Sequence, residues 1–310
     1  MGSVCSELCY CNPFASIDNK IEKLIYYPPP VHPDLYKQAL NTERSSLFYL
    51  ESVNKYKISV IRVNPKDNGN AWNQSFQHNL PVKGQGFLDS NTVGKSLASE
   101  RAVPALVGQG NPSKYIVWSH GNGTDIYDMY LYFTKLCDEL NVCVIAYDYV
   151  GYGLSENIRP TEKLCYESLE TVMKYLLCEL KINALDIYLV GHSLGTGVAI
   201  DYMSKNNWKT PSILISPYKS ICRVVVNTSC VTPIDKFESN KKLSKIDCPI
   251  KIFHGESDEL IHISHAVDLY DNLKDKSLSP VWFTGVGHNN MLQWITKDHY
   301  TEVLEYISNI

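Results

Sequence analysis

The chain has 310 residues, 44% of them apolar and 20% charged, with a formal net charge of −4. That is enough apolar material for the core of one large α/β domain. The mild negative charge, without any long Lys/Arg run, gives no electrostatic footing for nucleic acid, and no run of apolar residues approaches the length of a membrane-spanning helix.

The chain opens MGSVCSELCYCNPF. MGSVCS fits M-G-x-x-x-[ST], in which Gly2 is myristoylated after methionine removal and Ser6 holds the favoured position. Cys5, Cys9 and Cys11 are then candidate palmitate acceptors. One myristoyl chain binds a bilayer only marginally, at about 10⁴ M⁻¹, so stable anchoring needs a second signal. The cysteines can supply it; no polybasic stretch does. Three cysteines without a nearby fourth ligand make a poor zinc site, and the plainer alternative is a tail without function. The opening lacks the apolar stretch of a secretory signal. The expected place is therefore the cytoplasmic face of a membrane, the protein being peripheral and lipid-anchored. Seven further cysteines, from Cys137 to Cys248, form no CxxC pair and read as reduced, buried, small hydrophobes.

Residues 1–30 read as a lipid-anchoring tail ending in Pro28–Pro30, and 31–310 as the folded domain. KISVIRVN (57–64) reads as a strand. Residues 64–101 are polar, rich in Gly, Asn and Ser, and aperiodic, which predicts a long loop or insertion. Beyond it come short β-branched and aromatic runs at 114–121, 142–149, 186–193, 211–217, 249–255 and 280–287. Helical periodicity lies between several of them, as in 127–140 and 161–177. This alternation predicts an α/β class fold: a mostly parallel central sheet with helices on both faces. In such sheets the active site lies beyond the carboxyl ends of the strands.

After the run DIYLV stands GHSLGTG, a G-x-S-x-G pattern with a strand before it and a helix after it. That context projects Ser193 from a sharp turn at the top of the sheet, above a helix N-terminus that favours developing negative charge. A serine hydroxyl needs a base. His288 closes the run PVWFTGVG, and Asp258 comes after PIKIFHG, giving the chain order Ser, acid, His. Glu256 is the rival acid, earlier in the same turn. His192, His254, His262 and His265 lie near these positions and read as packing or surface residues. The tetrahedral intermediate of acyl transfer needs two backbone donors. Leu194 N–H supplies one, and the HGNGTD loop supplies the other from Asn122 or, alternatively, Gly123. HGNG can also be no more than a tight strand-to-helix turn. No phosphate loop, dinucleotide fingerprint or H-E-x-x-H set is present, so no cofactor and no metal are expected.

These blocks resemble the α/β-hydrolase domain-containing 17 family of membrane-tethered serine hydrolases, which act as protein depalmitoylases. The resemblance runs from about Lys20 to the C-terminus, apart from the 64–101 insertion, through KIEKLIYYPPP, SHGNGTD, AYDYVGYGLSE, LVGHSLGT, ISPYKS, IFHGESDELIHISHA and GVGHNN. It implies an α/β-hydrolase fold, a Ser193–Asp258–His288 triad, thioester hydrolysis and an S-acylated N-terminal cysteine cluster. The family usually carries glutamine and isoleucine where this chain has His192 and Leu194. The expected substrates are S-acylated membrane proteins, with no obligate protein partner. The alternatives are a carboxylesterase or lysolipid lipase using the same residues on oxygen esters, and a non-catalytic hydrolase-like scaffold. An acyl pocket is expected from Tyr218 to Val226 and near Met291.

Overall fold

The computed structural model describes residues 25–66, 113–226 and 235–306. Gly2, Cys5, Cys9 and Cys11 lie outside the described residues, as does nearly all of the 64–101 segment.

Eight strands form one sheet: β1 (Ser45–Glu51), β2 (Lys57–Val63), β3 (Tyr115–Ser119), β4 (Cys143–Tyr147), β5 (Ile187–His192), β6 (Ser212–Ile215), β7 (Ile250–Gly255) and β8 (Val281–Phe283). Their order is β1-β2-β4-β3-β5-β6-β7-β8. β1 pairs antiparallel with β2, and β2 antiparallel with β4; every later pair is parallel. Both faces of the parallel part are buried. Val117, Ile145, Leu189, Leu214 and Ile252 enter one apolar cluster, and Ile116, Trp118, Val144, Val190, Ile213 and Phe253 enter the other. Two-sided burial is why these strands read as continuous apolar runs rather than alternating ones.

The helices over the sheet include α1 (Pro33–Leu40), α2 (Tyr130–Leu140), α3 (Glu162–Lys174), α4 (Leu194–Lys205), α5 (Ile221–Val226), α6 (Ser264–Asp271) and α7 (Lys297–Leu304). Thr161 starts α3 by accepting a hydrogen bond from Leu164 N–H, as a favoured cap residue does. The helical stretch expected to 177 ends at Lys174 and continues as one wider turn, Tyr175–Glu179. α4 is the central helix: every residue from Leu194 to Met203 is buried.

Three expectations need correction. The edge strand β1 and the helix α1 were not expected from the sequence; the central run LFYL of β1 does not alternate and is flanked by Ser45, Ser46 and Glu51, which dilutes its strand signal. The last strand was expected over 280–287 but holds only Val281–Phe283. Gly285 has φ +75°, and a side chain at Gly255 would overlap Val286 O. The chain therefore turns back across the end of β7, carrying His288 with it. The tail was expected to run to residue 30, yet Ile25 and Tyr26 are core residues, the Tyr26 ring lying edge-on to Phe237, which takes their apolar surface out of water. Of the seven later cysteines, Cys137, Cys143, Cys165 and Cys248 are buried, whereas Cys178 is exposed and Cys222 half-buried; Cys230 lies outside the described residues.

Candidate active site

The sheet register brings the site together. Ser119 of β3 pairs with Gly191 of β5, His192 with Ile215 of β6, Ile215 with Phe253 of β7, and Gly255 with Phe283 of β8. The strands thus end along one edge. The HGN loop (120–122) extends from the end of β3, Ser193 from β5, Asp258 from β7 and His288 from β8.

Ser193 sits at φ +49° and ψ −115°, between β5 and α4. A non-glycine residue in this region costs about 1–3 kcal/mol and persists only where its surroundings over-determine it. Here Ser193 N–H donates to Ile215 O at 2.8 Å, while Ser193 O accepts from Thr196 N–H at 2.9 Å and Thr196 Oγ1 at 2.7 Å. The flanking glycines are steric requirements: a Cβ at Gly191 would lie 2.6 Å from Gly195 O, and one at Gly195 would overlap Ser119 O. The G-x-S-x-G spacing therefore records two close backbone approaches.

His288 links the other two residues. Its Nε2 lies 3.0 Å from Ser193 Oγ, and its Nδ1 lies 2.7 Å from Asp258 Oδ2. The network assigns the tautomer: Nδ1–H donates to the carboxylate, leaving Nε2 free to accept from the serine hydroxyl. Asp258 Oδ1 accepts from Leu260 N–H at 3.0 Å and Ile261 N–H at 2.7 Å. Burial of Asp258 works against its charge, but the hydrogen bonds from His288 and Ile261, with His254 nearby, hold the carboxyl below its ordinary value. Glu256 is turned away, exposed, and accepts from Thr284 Oγ1 at 2.6 Å. An arrangement of this kind can activate a hydroxyl as a nucleophile and hold the imidazolium that forms.

Leu194 N–H opens α4, where the first turn has no acceptor inside the helix. On the facing loop, a Cβ at Gly121 would lie 3.5 Å from Ser193 Cβ and 3.3 Å from His192 Nδ1. The backbone N–H groups of Asn122 and Gly123 both have no hydrogen-bond acceptor among the described residues, and Asn122 is the one that directly follows Gly121. The Asn122 side chain is engaged elsewhere: Oδ1 accepts from Tyr27 N–H at 2.9 Å and Tyr152 OH at 2.7 Å, and Nδ2 donates to Ile25 O at 2.6 Å.

The neighbouring histidines divide. His262 is exposed, with Nδ1 3.0 Å from Ser264 Oγ. His265 is buried, accepts from Lys219 N–H at 3.3 Å, and is pushed down to about 4 by burial and by Lys219. His254 is more than packing: its Nε2 lies 2.7 Å from Ile261 O and 3.5 Å from Asp258 Oδ2, so it buttresses the loop that presents the acid. His192 keeps some surface, but both ring nitrogens are sealed and unpartnered among the described residues. Its ring lies nearly parallel to that of His288, with centroids 6.0 Å apart, and burial pushes it down to about 3.

A buried polar pair at the start of the HGN loop was not anticipated, His120 Nε2 lying 3.8 Å from Asp148 Oδ1. His120 is pushed down to about 4 by burial. Asp148, at the end of β4, is pushed up to about 7, chiefly by burial and then by Asp125. Its carboxylate ties three segments, accepting from Ser59 Oγ at 2.7 Å, Ile126 N–H at 2.9 Å and Leu154 N–H at 3.3 Å. The only sequence signal was an aspartate directly after a strand, in AYDY.

Of the stretch expected to line an acyl pocket, Ile221 to Val224 are half-buried, whereas its first residue and Met291 are closed. Tyr218 and Met291 are 1% and 0% exposed; Tyr218 OH donates to Leu194 O at 3.3 Å and so supports the elbow from below. The side chains of Val225 and Val226 lie outside the described residues. A cavity of about 510 Å³ lies elsewhere, lined by Pro28, Val31, Tyr49, Lys57 and Leu154 among others, and by none of Ser193, Asp258 and His288. Among the described residues no helix is long and apolar enough to cross a membrane, and no cluster of His, Cys, Asp and Glu could hold a metal.

A mostly parallel sheet with a strained serine at a strand-to-helix elbow and a histidine and acid at later strand ends defines an alpha/beta hydrolase, and the chain belongs to that family. The model of the "Alpha/beta hydrolase family" matches residues 116–239. An alpha/beta hydrolase of Acanthamoeba polyphaga mimivirus is 44% identical over 292 residues, covering 94% of this chain and 95% of its own. Alpha/beta hydrolase domain-containing protein 17C of Homo sapiens is 33% identical over 181 residues, covering 58% of this chain and 54% of its own. The human 17B protein matches at 33% identity, with 62% of its length covered. Both are thus homologues that this chain matches over little more than half their length. Among solved structures, an esterase of Pyrococcus furiosus superposes with a TM-score of 0.60, covering 90% of this chain and 97% of its own at 15% identity, a likeness of fold.

Proposed function

We propose that this chain is a serine hydrolase that acts as an acyl-protein thioesterase, removing palmitate from S-acylated cysteines of membrane-associated proteins. Ser193, His288 and Asp258 are its catalytic residues, and the N–H groups of Leu194 and Asn122 form its oxyanion hole. The observation that carries the reading is the hydrogen-bonded line from Ser193 Oγ through His288 to Asp258, at 3.0 and 2.7 Å. The choice of a thioester rests on the sequence resemblance to the 17 family and on the acylation pattern of the first eleven residues.

The steps derive from the geometry. His288 Nε2 takes the Ser193 proton as Oγ attacks the thioester carbonyl carbon. The carbonyl electrons move onto oxygen, where the two N–H groups receive the charge; each such donor is worth about 3 kcal/mol. Collapse breaks the C–S bond, and the substrate cysteine leaves with the proton from His288. A thiol, with a pKa of about 8.5, is a better leaving group than an alcohol and asks less of the general acid. Water then attacks the acyl-enzyme, gives its proton to His288, and the fatty acid departs as Ser193 regains that proton.

Lipids on Gly2, Cys5, Cys9 and Cys11 hold the enzyme on the cytoplasmic face of the membrane that bears its substrates, raising the effective concentration of the encounter. The Gly2→Ala variant tests this. It is expected to be largely cytosolic, to hydrolyse a soluble thioester near the wild-type rate, and to leave palmitate on membrane proteins in cells, read by fractionation with acyl exchange. Full deacylation by that variant contradicts the anchoring role, and faster turnover of a monoacylglycerol than of a palmitoyl thioester by the wild type contradicts the substrate assignment.

A further inference from the structure

The loop that offers Asn122 N–H to the reaction is fixed by a segment far from it in sequence. Ile25 and Tyr26 are buried, and the Tyr26 ring meets that of Phe237 edge-on at 6.5 Å. This anchors the chain just before the run Pro28–Pro30. From there the backbone passes the HGN loop, and the Asn122 carboxamide clasps it on both sides of Tyr26: Nδ2 donates to Ile25 O at 2.6 Å, and Oδ1 accepts from Tyr27 N–H at 2.9 Å. The second lone pair of Oδ1 takes the Tyr152 hydroxyl at 2.7 Å. Three of the four hydrogen bonds an asparagine amide can make are thus filled, and both acceptor sites are spent. On its other side the same loop touches the nucleophile elbow, with Gly121 against His192 and Ser193. His120 O is held by Tyr149 OH at 2.7 Å. Main-chain N–H and side-chain amide of one residue therefore have different duties: the amide is bound into the fold, and the N–H is left without an acceptor among the described residues.

We propose that Ile25–Tyr27 is a strap that positions the oxyanion donor Asn122 N–H by way of the Asn122 carboxamide, with Tyr152 as its second fastening. The base of the acylated tail is then a working part of the active site. This rests on the acyl-transfer reading given above. Asn122 is catalytic through its backbone; Ile25, Tyr27, Tyr152 and the Asn122 side chain are positioning groups. A displaced donor weakens charge stabilisation in the transition state while leaving ground-state binding nearly unchanged, so the loss falls on kcat rather than on KM.

The test uses the full chain and a soluble acyl thioester, with active sites titrated by a fluorophosphonate and thermal midpoints measured alongside. Asn122→Ala is expected to lower kcat by about 30-fold or more per titrated site, with KM within about threefold. Asn122→Asp keeps the acceptors for Tyr27 N–H and Tyr152 OH but sets a second oxygen against Ile25 O, so it should recover only part of that loss. Tyr152→Phe should lower kcat by about three- to tenfold. Tyr27→Pro extends the existing proline run by one residue and removes the strap's own N–H; it should lower kcat in the same direction. Normal kcat in Asn122→Ala and Tyr152→Phe at unchanged thermal midpoints overturns the strap. So does a loss that appears only as fewer titratable sites, because that is misfolding. A wild-type protein with no thioesterase turnover and no labelled serine would instead sink the acyl-transfer reading itself, a result distinguishable from failure of the strap.

Discussion

The elbow that carries Ser193 and the loop that carries Asn122 meet at one point, yet they are held by different means. The elbow is set by main-chain packing: Gly191 against Gly195, Gly195 against Ser119, and Ser193 N–H on Ile215 O. The loop is set by side-chain hydrogen bonds to a segment 95 to 97 positions away in sequence. Steric fit between backbones leaves a short, fixed spacing in the sequence. A side-chain clasp leaves only an asparagine, a residue whose bonding partners no local pattern reveals. The first construction is stiff and intolerant of any added atom; the second is adjustable and can be loosened by degrees.

That contrast can be sharpened by perturbing each part. The largest effect is expected at the acid. Asp258→Asn should cost about 10⁴ in kcat by favouring the wrong imidazole tautomer, whereas Glu256→Gln, beside Thr284 and turned to solvent, should change kcat by less than about threefold. Steady-state kinetics on the two variants decide it, and the reverse pattern would move the acid to Glu256. Next comes the elbow's intolerance. Gly195→Ala has no room against Ser119 O, so a loss of about 3 kcal/mol or failure to fold is expected, read as the urea midpoint. A near-neutral result would show the elbow to be as adjustable as the loop.

The smallest expected effect concerns His192. Its ring is pushed down to about 3 by burial, then by His288 and His120. An unfolded histidine gains its proton near pH 6.5, whereas the folded one resists protonation over the next few pH units. Stability from this group is therefore complete above pH 6.5 and is lost as pH falls toward 3. By pH 5.5 the loss is about 1 kcal/mol. His192→Gln, the residue usual in the resembled family, should gain on the wild type by about that amount between pH 7.5 and 5.5 in paired denaturation curves. Parallel curves would contradict the burial of this ring.

Much of the architecture was legible because the parallel strands are buried on both faces and carry unbroken apolar runs. Ser193, Asp258 and His288 were legible because each comes just after such a run, and the sheet register brings those ends to one edge. What escaped was non-local or weakly patterned. β1 is an edge strand whose run SSLFYLE does not alternate strictly between apolar and polar residues. β8 is cut short by Gly285, which a run of apolar residues conceals. His254 and Asp148 do their bonding across loops, to Ile261 O and Asp258 in one case and to Ser59, Ile126 and Leu154 in the other. The fastening of residues 25–27 to Asn122 lies wholly beyond local pattern, and a tail boundary at residue 30 separates the two partners.

The central claim is that Ser193, activated by His288, forms an acyl-enzyme. Reaction of the full chain with a fluorophosphonate, with intact-mass measurement and peptide mapping of the product, tests it most directly. A single adduct is expected on Ser193, formed more slowly while a palmitoyl thioester is present and absent from Ser193→Ala together with all turnover. An adduct on a different serine, or unchanged hydrolysis by Ser193→Ala, would contradict it.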